Sequence, residues 1–209
     1  MNIKVCGITQ LKQLQQLDGL DIDFAGLIFD KASPRYMGDK IAKDDLKNSD
    51  FDLKKVGVFK NPEMIDVLDA IDDYGLDVVQ LHGNETPEMC EDLSSEVEVI
   101  KAFSLNGDES IDELVADYDA VCDYYLFDTA GADGIGGGTG KQFDWKIITK
   151  AKIEKPFFLS GGIALEDAVR VKAFKHPDFY AIDINSRFEK EPGIKDMALL
   201  LQFRQALKK

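Results

Sequence analysis

Short runs of apolar, β-branched residues recur along the chain, separated by stretches in which apolar positions return every three or four residues. The runs Ile3–Ile8, Phe24–Phe29, Lys55–Phe59, Val78–Leu81, Val97–Phe103, Tyr124–Phe127, Pro156–Leu159 and Phe179–Ile184 have the length and composition of buried strands. Between them the spacing predicts helices over Thr9–Leu17, Ile41–Asn48, Pro62–Tyr74, Thr86–Leu93, Ser110–Tyr118, Trp145–Ile153, Leu165–Phe174 and Ile194–Leu207. Thr9 is expected to cap the first helix. Pro62 is expected in the first turn of the third, with Met64, Ile65, Leu68 and Ile71 on its buried face and Gly75 as its stop. Thr86-Pro87-Glu88 reads as a cap followed by a first-turn proline.

Strands alternating with helices imply parallel pairing through right-handed crossovers. No Pro/Ser-rich linker interrupts the series, so residues 1–209 are read as one domain. Eight repeats predict an α/β fold, a single (β/α)8 TIM barrel, with a doubly wound open sheet as the alternative. In either fold, chemistry belongs at the C-terminal ends of the strands. Alternation within the strands puts Lys4 with Cys6, Gln80 with His82, and Asp183 with Asn185 on inward faces; the opposite, apolar faces lie under the helices.

A formal net charge of −14 in 209 residues argues against nucleic-acid or anionic-membrane partners and makes each cation near a strand end informative. No apolar run approaches the ~18–20 residues of a membrane span, and the N-terminus reads as a strand rather than a leader. The cysteines Cys6, Cys90 and Cys122 are odd in number and far apart, which points to a reducing, cytoplasmic setting. No spacing of His and Cys suggests a metal site. A monomer is expected, with a homodimer as the alternative.

The strand ends supply the candidate groups. Cys6 is either an inert buried thiol or a reactive one whose thiolate Lys4 favours. Asp128 ends the aromatic run YYLFD, where burial raises a carboxyl pKa and suits a general acid; the alternative is an ion pair with Lys4 or Lys101 inside the barrel. Gly161-Gly162, before a helix after the seventh strand, and Asn185-Ser186 after the eighth sit where such barrels bind phosphate through bare backbone N–H groups at a helix N-terminus. Arg35, in Ser-Pro-Arg after the second strand, offers a guanidinium to a carboxylate. His82 is read as a strand-end histidine satisfied by a hydrogen bond, with polarisation of substrate as the alternative. The glycine-rich stretch between Asp128 and Trp145 fits no nucleotide motif: Ile135 stands where G-x-x-x-x-G-K-[ST] needs glycine, and Gln142 where it needs Ser or Thr.

Taken in order, K-V-C-G-I-T, S-P-R, Q-L-H-G-N-E, F-D-T…G-G-G-T-G-K-Q-F-D-W, L-S-G-G-I and P-G-I-K-D closely resemble the phosphoribosylanthranilate isomerase family, from Lys4 to Asp196. The resemblance implies a cofactor-free Amadori rearrangement of a phosphosugar in tryptophan biosynthesis. It implies Asp128 as general acid, Cys6 as general base and Arg35 as the grip on the anthranilate carboxylate. Gln80, His82, Gly161, Gly162, Asn185 and Ser186 would contact substrate, with Lys4 and Asp183 in support. The glycine-rich stretch would be a loop over the site. One position departs from the pattern: Arg187 stands where the family carries glycine, and its side chain is expected to turn outward and pair with Glu189 or Glu191.

Overall fold

Runs in which every second side chain can face a dry interior pair most economically by closing on themselves, because closure leaves no unpaired edge. The computed structural model, which describes residues 1–106, 109–129 and 144–208, adopts that solution. Strands β1 (Asn2–Cys6), β2 (Phe24–Ile28), β3 (Lys54–Phe59), β4 (Val78–Leu81), β5 (Glu98–Leu105), β6 (Tyr124–Thr129), β7 (Phe157–Leu159) and β8 (Phe179–Ile184) form a closed barrel. All pairs are parallel, and β8 returns to β1 with Lys4 opposite Asp183.

Around the barrel run α1 (Leu11–Asp18), α2 (Lys43–Lys47), α3 (Met64–Tyr74), α4 (Pro87–Ser94), α5 (Ile111–Val115), α6 (Lys146–Thr149), α7 (Ala168–Ala173) and α8 (Met197–Lys208). Several are shorter than their periodicity suggests. Tight 3-10 turns take up Ala116–Tyr118 after α5 and Leu165–Asp167 before α7. Thr86 caps α4 as expected, its hydroxyl accepting from Met89 N at 3.4 Å. Gly75 stops α3.

Four expectations are corrected. Thr9 does not cap α1; its hydroxyl donates to Gly193 O at 2.7 Å, and Gln10 holds the cap position. Pro62 lies before the α3 cap residue, Glu63. Ile65 faces solvent at 61% exposure, because α3 buries the stripe Val67, Ala70 and Tyr74. The stretch after β8 is not helical from Ile194. β9 (Glu189–Glu191) and β10 (Ile194–Lys195) form an antiparallel hairpin, and α8 starts only at Met197.

The apolar side chains form two layers. Outward faces pack under the helices, while Phe24, Val56, Val78, Ile100, Leu126, Phe158 and Ala181 fill the barrel. Phe24 meets Phe158 edge-on at a ring separation of 5.2 Å, with Tyr124 and Tyr180 beside them at the N-terminal ends of the strands. Each fully buried side chain of this size contributes roughly 1.5–3 kcal/mol. This aromatic plug fills the floor of the barrel interior, and the polar groups inside the barrel lie above it.

The acidic excess has a structural use at the floor. Strand starts expose backbone N–H groups that must be satisfied. Asp23, Asp77 and Asp123 each precede an even-numbered strand and accept from a backbone N–H of the strand before: Ile3 at 2.8 Å, Lys55 at 2.7 Å and Val99 at 2.8 Å.

Outside β5, Lys101 pairs with Glu85 at 2.7 Å, both side chains almost fully buried. Glu85 also accepts from Asn61 N and Gly83 N, each at 2.8 Å, and so ties the loops after β3 and β4 together. Removing one partner of a buried pair strands the other charge. Glu85→Ala is therefore expected to lower the unfolding free energy by about 3–5 kcal/mol. Urea denaturation checks this, and a loss under about 1 kcal/mol would show that Lys101 finds other partners.

Candidate active site

Alternation brings the polar strand ends to one mouth. Cys6, Arg35, Gln80, His82, Asp128, Gly161, Gly162, Asp183, Asn185 and Ser186 all line a single pocket at the C-terminal end of the barrel. Lys4 lies below it, wholly buried, and donates to Asp183 Oδ1 at 2.9 Å. Every residue singled out from the sequence is thus in this mouth or directly beneath it. The glycine-rich segment expected to cover Asp128 lies outside the described residues.

Asp128 is 7% exposed and pairs with neither Lys4 nor Lys101, which corrects the ion-pair alternative. Lys4 is taken by Asp183, and Lys101 projects to the outer face of β5. Burial, together with the nearby Asp183 charge, pushes the Asp128 carboxyl up to about 7. Thr129 N donates to its Oδ1 at 2.8 Å and only partly offsets the rise. His82 Nε2 stands 3.7 Å from Asp128 Oδ2 without a hydrogen-bond partner. The two are not a charged pair, because burial and the Lys4 and Lys101 charges lower the His82 pKa to about 4. A neutral ring therefore faces the carboxyl, and its other nitrogen lies 3.3 Å from Gln80 Nε2. Gln80 Oε1 is buried in the same wall with no partner.

The expectation that Lys4 would favour the Cys6 thiolate is corrected in its net effect. Burial raises the Cys6 pKa by more than Lys4 lowers it, and Asp183 adds to the rise. Cys6 is a thiol at neutral pH. Burial would likewise push Lys4 down, but Asp183 and Cys6 outweigh it and hold the ammonium above its ordinary value.

Gly161 and Gly162 both adopt left-handed backbone, with φ of 100° and 66°. A Cβ on Gly161 would lie 2.2 Å from Thr129 Oγ1, so glycine is required there on two counts. No long helix follows; α7 begins at Ala168 and has six residues. Any anion held here would rest on loop N–H groups rather than on a helix terminus. Ser186 opens a 3-10 turn, and Asn185 Oδ1 accepts from Lys195 Nζ at 2.8 Å.

Arg187 is exposed at the rim of the pocket. Glu189, one of its expected partners, is bound instead to Arg35 and Lys195. Glu189 and Lys195 stand behind this mouth on the hairpin, against Arg35 and Asn185, where reading strand ends does not look. Their signal is P-G-I-K, a turn dipeptide too soon after β8 for a helix start. Beside Arg35 the mouth extends into an annex walled by Ile28, Pro34, Val58 and Phe59. Among the described residues no group of His, Cys, Asp and Glu could hold a metal ion, and no helix is long and apolar enough to cross a membrane.

The family model for N-(5'-phosphoribosyl)anthranilate isomerase matches residues 3–206. An enzyme of that name from Parabacteroides distasonis is 41% identical over 209 residues, covering 99% of this chain and 93% of the relative. The crystal structure of phosphoribosyl anthranilate isomerase from Thermotoga maritima superposes with a TM-score of 0.84 at 30% identity, covering 100% of this chain and 98% of that one. A phosphoribosyl anthranilate isomerase in complex with reduced 1-(o-carboxyphenylamino)-1-deoxyribulose 5-phosphate gives a TM-score of 0.80 at 28% identity, with coverage of 100% and 98%.

A carboxyl whose pKa is raised on folding binds its proton more tightly in the native state. Its contribution to stability is complete below the ordinary value of 3.8 and is lost as pH rises toward about 7. Above that pH the native state carries a penalty on the order of 4 kcal/mol, at about 1.4 kcal/mol per pKa unit. Asp128→Asn is expected to raise Tm at pH 8 and to change it much less at pH 5. Calorimetry at both pH values checks this; equal changes would mean that the carboxyl titrates normally.

Proposed function

The chain belongs to the N-(5'-phosphoribosyl)anthranilate isomerase family, and we propose that its barrel mouth carries the family's reaction with Asp128 as general acid and Cys6 as general base. That reaction converts N-(5'-phosphoribosyl)anthranilate to 1-(2-carboxyphenylamino)-1-deoxyribulose 5-phosphate, an isomerisation in tryptophan biosynthesis. The observation that carries the assignment is the Asp128 carboxyl, buried in the mouth that Cys6 shares and raised to about 7. An acid that keeps its proton near neutral pH can give it to the ribose ring oxygen.

Protonation of that oxygen breaks its bond to C1′, and the anthranilate nitrogen lone pair forms the C=N bond of a Schiff base. The Cys6 thiolate then removes the C2′ proton, and the C–H electron pair neutralises the iminium as an enolamine. Protonation at C1′ and loss of the C2′ hydroxyl proton give the ketone. The proton taken by Cys6 is returned, and Asp128 is reprotonated. C1′ is reduced and C2′ oxidised within one molecule, so the scheme calls on no external electron carrier.

The remaining side chains suit the two ends of this substrate. The apolar annex of Ile28, Pro34, Val58 and Phe59 fits the aromatic ring, with Arg35 beside it for the ring carboxylate. Gly161-Gly162 and Asn185-Ser186 line the same pocket and suit the phosphate through loop backbone. Gln80 and the neutral His82 turn unpaired atoms toward the centre and suit the ribose hydroxyls. The free thiols Cys6, Cys90 and Cys122 support a reducing, cytoplasmic setting.

The test follows the loss of anthranilate fluorescence when the protein meets substrate generated in place. Cys6→Ala and Asp128→Asn are each expected to lower kcat by roughly 10²–10⁴. Turnover within about tenfold of wild type in either variant would remove that residue from the scheme. The pH profile carries a further expectation. The reactive form needs Asp128 protonated and Cys6 ionised, although Asp128 has the lower pKa. kcat/KM should therefore rise with pH to about 7 and stay level until Cys6 titrates above the ordinary thiol value. A rising limb near the ordinary carboxylate value would contradict the assignment.

A further inference from the structure

Arg35 does not reach the mouth as a loose surface arginine. Its Nε donates to both carboxylate oxygens of Glu189 at 3.0 Å, and its Nη2 donates to Oε2 at 2.9 Å. A planar fork gripped by a carboxylate along one edge has its plane fixed. The grip takes the Nε edge and leaves Nη1 for an anion arriving through the pocket.

Glu189 is itself held. It lies in β9 with a side chain only 4% exposed, and its Oε1 accepts from Lys195 Nζ at 2.7 Å and from Gly193 N at 3.2 Å. Gly193 is pinned in turn, its carbonyl accepting from Thr9 Oγ1 at 2.7 Å and Gln13 Nε2 at 3.0 Å. The Arg35 stem is confined on its other side by Gly7, where a Cβ would lie 2.7 Å from Arg35 Cδ and where φ is 81°. One carboxylate between two cations leaves the cluster with a positive charge at the mouth. Arg35 thus meets the pocket as a fixed plane with charge to spare.

We propose that Glu189 is a positioning residue for the reaction: from the β9–β10 hairpin it sets the plane of the Arg35 guanidinium, so that the mouth selects a substrate with a carboxylate on its aromatic ring. This rests on the assignment of Arg35 to that carboxylate. Glu189 touches no substrate atom in this role and acts only through Arg35. The hairpin is then a specificity element, although it carries none of the reacting groups.

The experiment measures binding of two ligands by calorimetry: the reduced product analogue with its ring carboxylate, and the N-phenyl counterpart without it. Wild type is expected to prefer the first by about tenfold or more, the scale of a charge-assisted hydrogen bond. Glu189→Gln keeps the shape and removes the charge, and it should reduce that preference to about twofold by weakening the carboxylated ligand alone. Glu189→Asp, with the charge kept but withdrawn by one methylene, should give an intermediate ratio. In turnover the loss should appear more in KM than in kcat. Because the ratio is read on folded molecules, lower stability of a variant does not alter it. Equal weakening of both ligands would make Glu189 merely structural and overturn the proposal. Arg35→Ala separates the two assignments. A preference that survives it removes Arg35 from carboxylate recognition, and the positioning role with it. A preference lost in Arg35→Ala but kept in Glu189→Gln removes the positioning role alone.

Discussion

The buried pair of Lys4 and Asp183 joins the first strand to the last and sets the electrostatics of the mouth. The two residues are register partners where β8 closes on β1, and they meet at 2.9 Å in the barrel interior. Desolvating both charges costs about what their attraction returns, so the pair is a weak source of stability. Its effect on its neighbours is larger. Asp183 raises both Asp128 and Cys6, and Lys4 lowers both. Without the ammonium, two carboxyls would face each other in a dry space, and one would be forced to neutralise. The same contact that seals the sheet therefore places an ammonium against Asp183, while Asp128, without such a partner, is the carboxyl that holds a proton.

Charged groups have different uses at the two ends of the barrel. At the floor, Asp23, Asp77 and Asp123 satisfy strand N–H groups around an aromatic plug. At the mouth, Lys4, Arg35, Lys195 and Arg187 gather around the pocket or just beneath it. A chain of net charge −14 can thus receive a ligand bearing a phosphate and a carboxylate. The net figure describes the outer surface and the floor, and it says little about the cavity.

The barrel and its polar faces were legible because both follow from a two-residue period. Lys4 with Cys6, Gln80 with His82 and Asp183 with Asn185 all reach the mouth on that rule alone. The helices were less legible. Ile65 and Leu68 are as apolar as Val67, so composition could not fix which stripe α3 turns inward; packing against α2 and β3 did, and Ile65 was left in solvent. Thr9 looked like a cap, yet its hydroxyl finds a stronger tertiary partner in the Gly193 carbonyl. The hairpin was missed for a similar reason. Glu189 to Lys195 has no hydrophobic period, and its shape comes from contacts to residues more than 150 positions away. Lys4 was seen as a neighbour of Cys6, but a sequence does not show how much water a strand end loses, and burial proved the larger effect.

That missed hairpin bears on the chemistry as well as on recognition. In the proposed reaction Asp128 has to be protonated while Cys6 is ionised, so the gap between their pKa values sets how much of the protein is in the reactive form. Each unit of gap costs about 1.4 kcal/mol. A charge that acts on Cys6 more than on Asp128 narrows it, and Lys4 does so, hydrogen-bonded to Cys6 but reaching Asp128 through charge alone. Lys195, on β10, is among the charges that pull Cys6 down, and Glu189 and Asn185 hold its ammonium in place. Its own pKa is lowered by burial, and the carboxylate that orients Arg35 opposes that fall. In the proposed scheme the hairpin thereby links substrate selection at one end of the mouth to the readiness of the base at its centre.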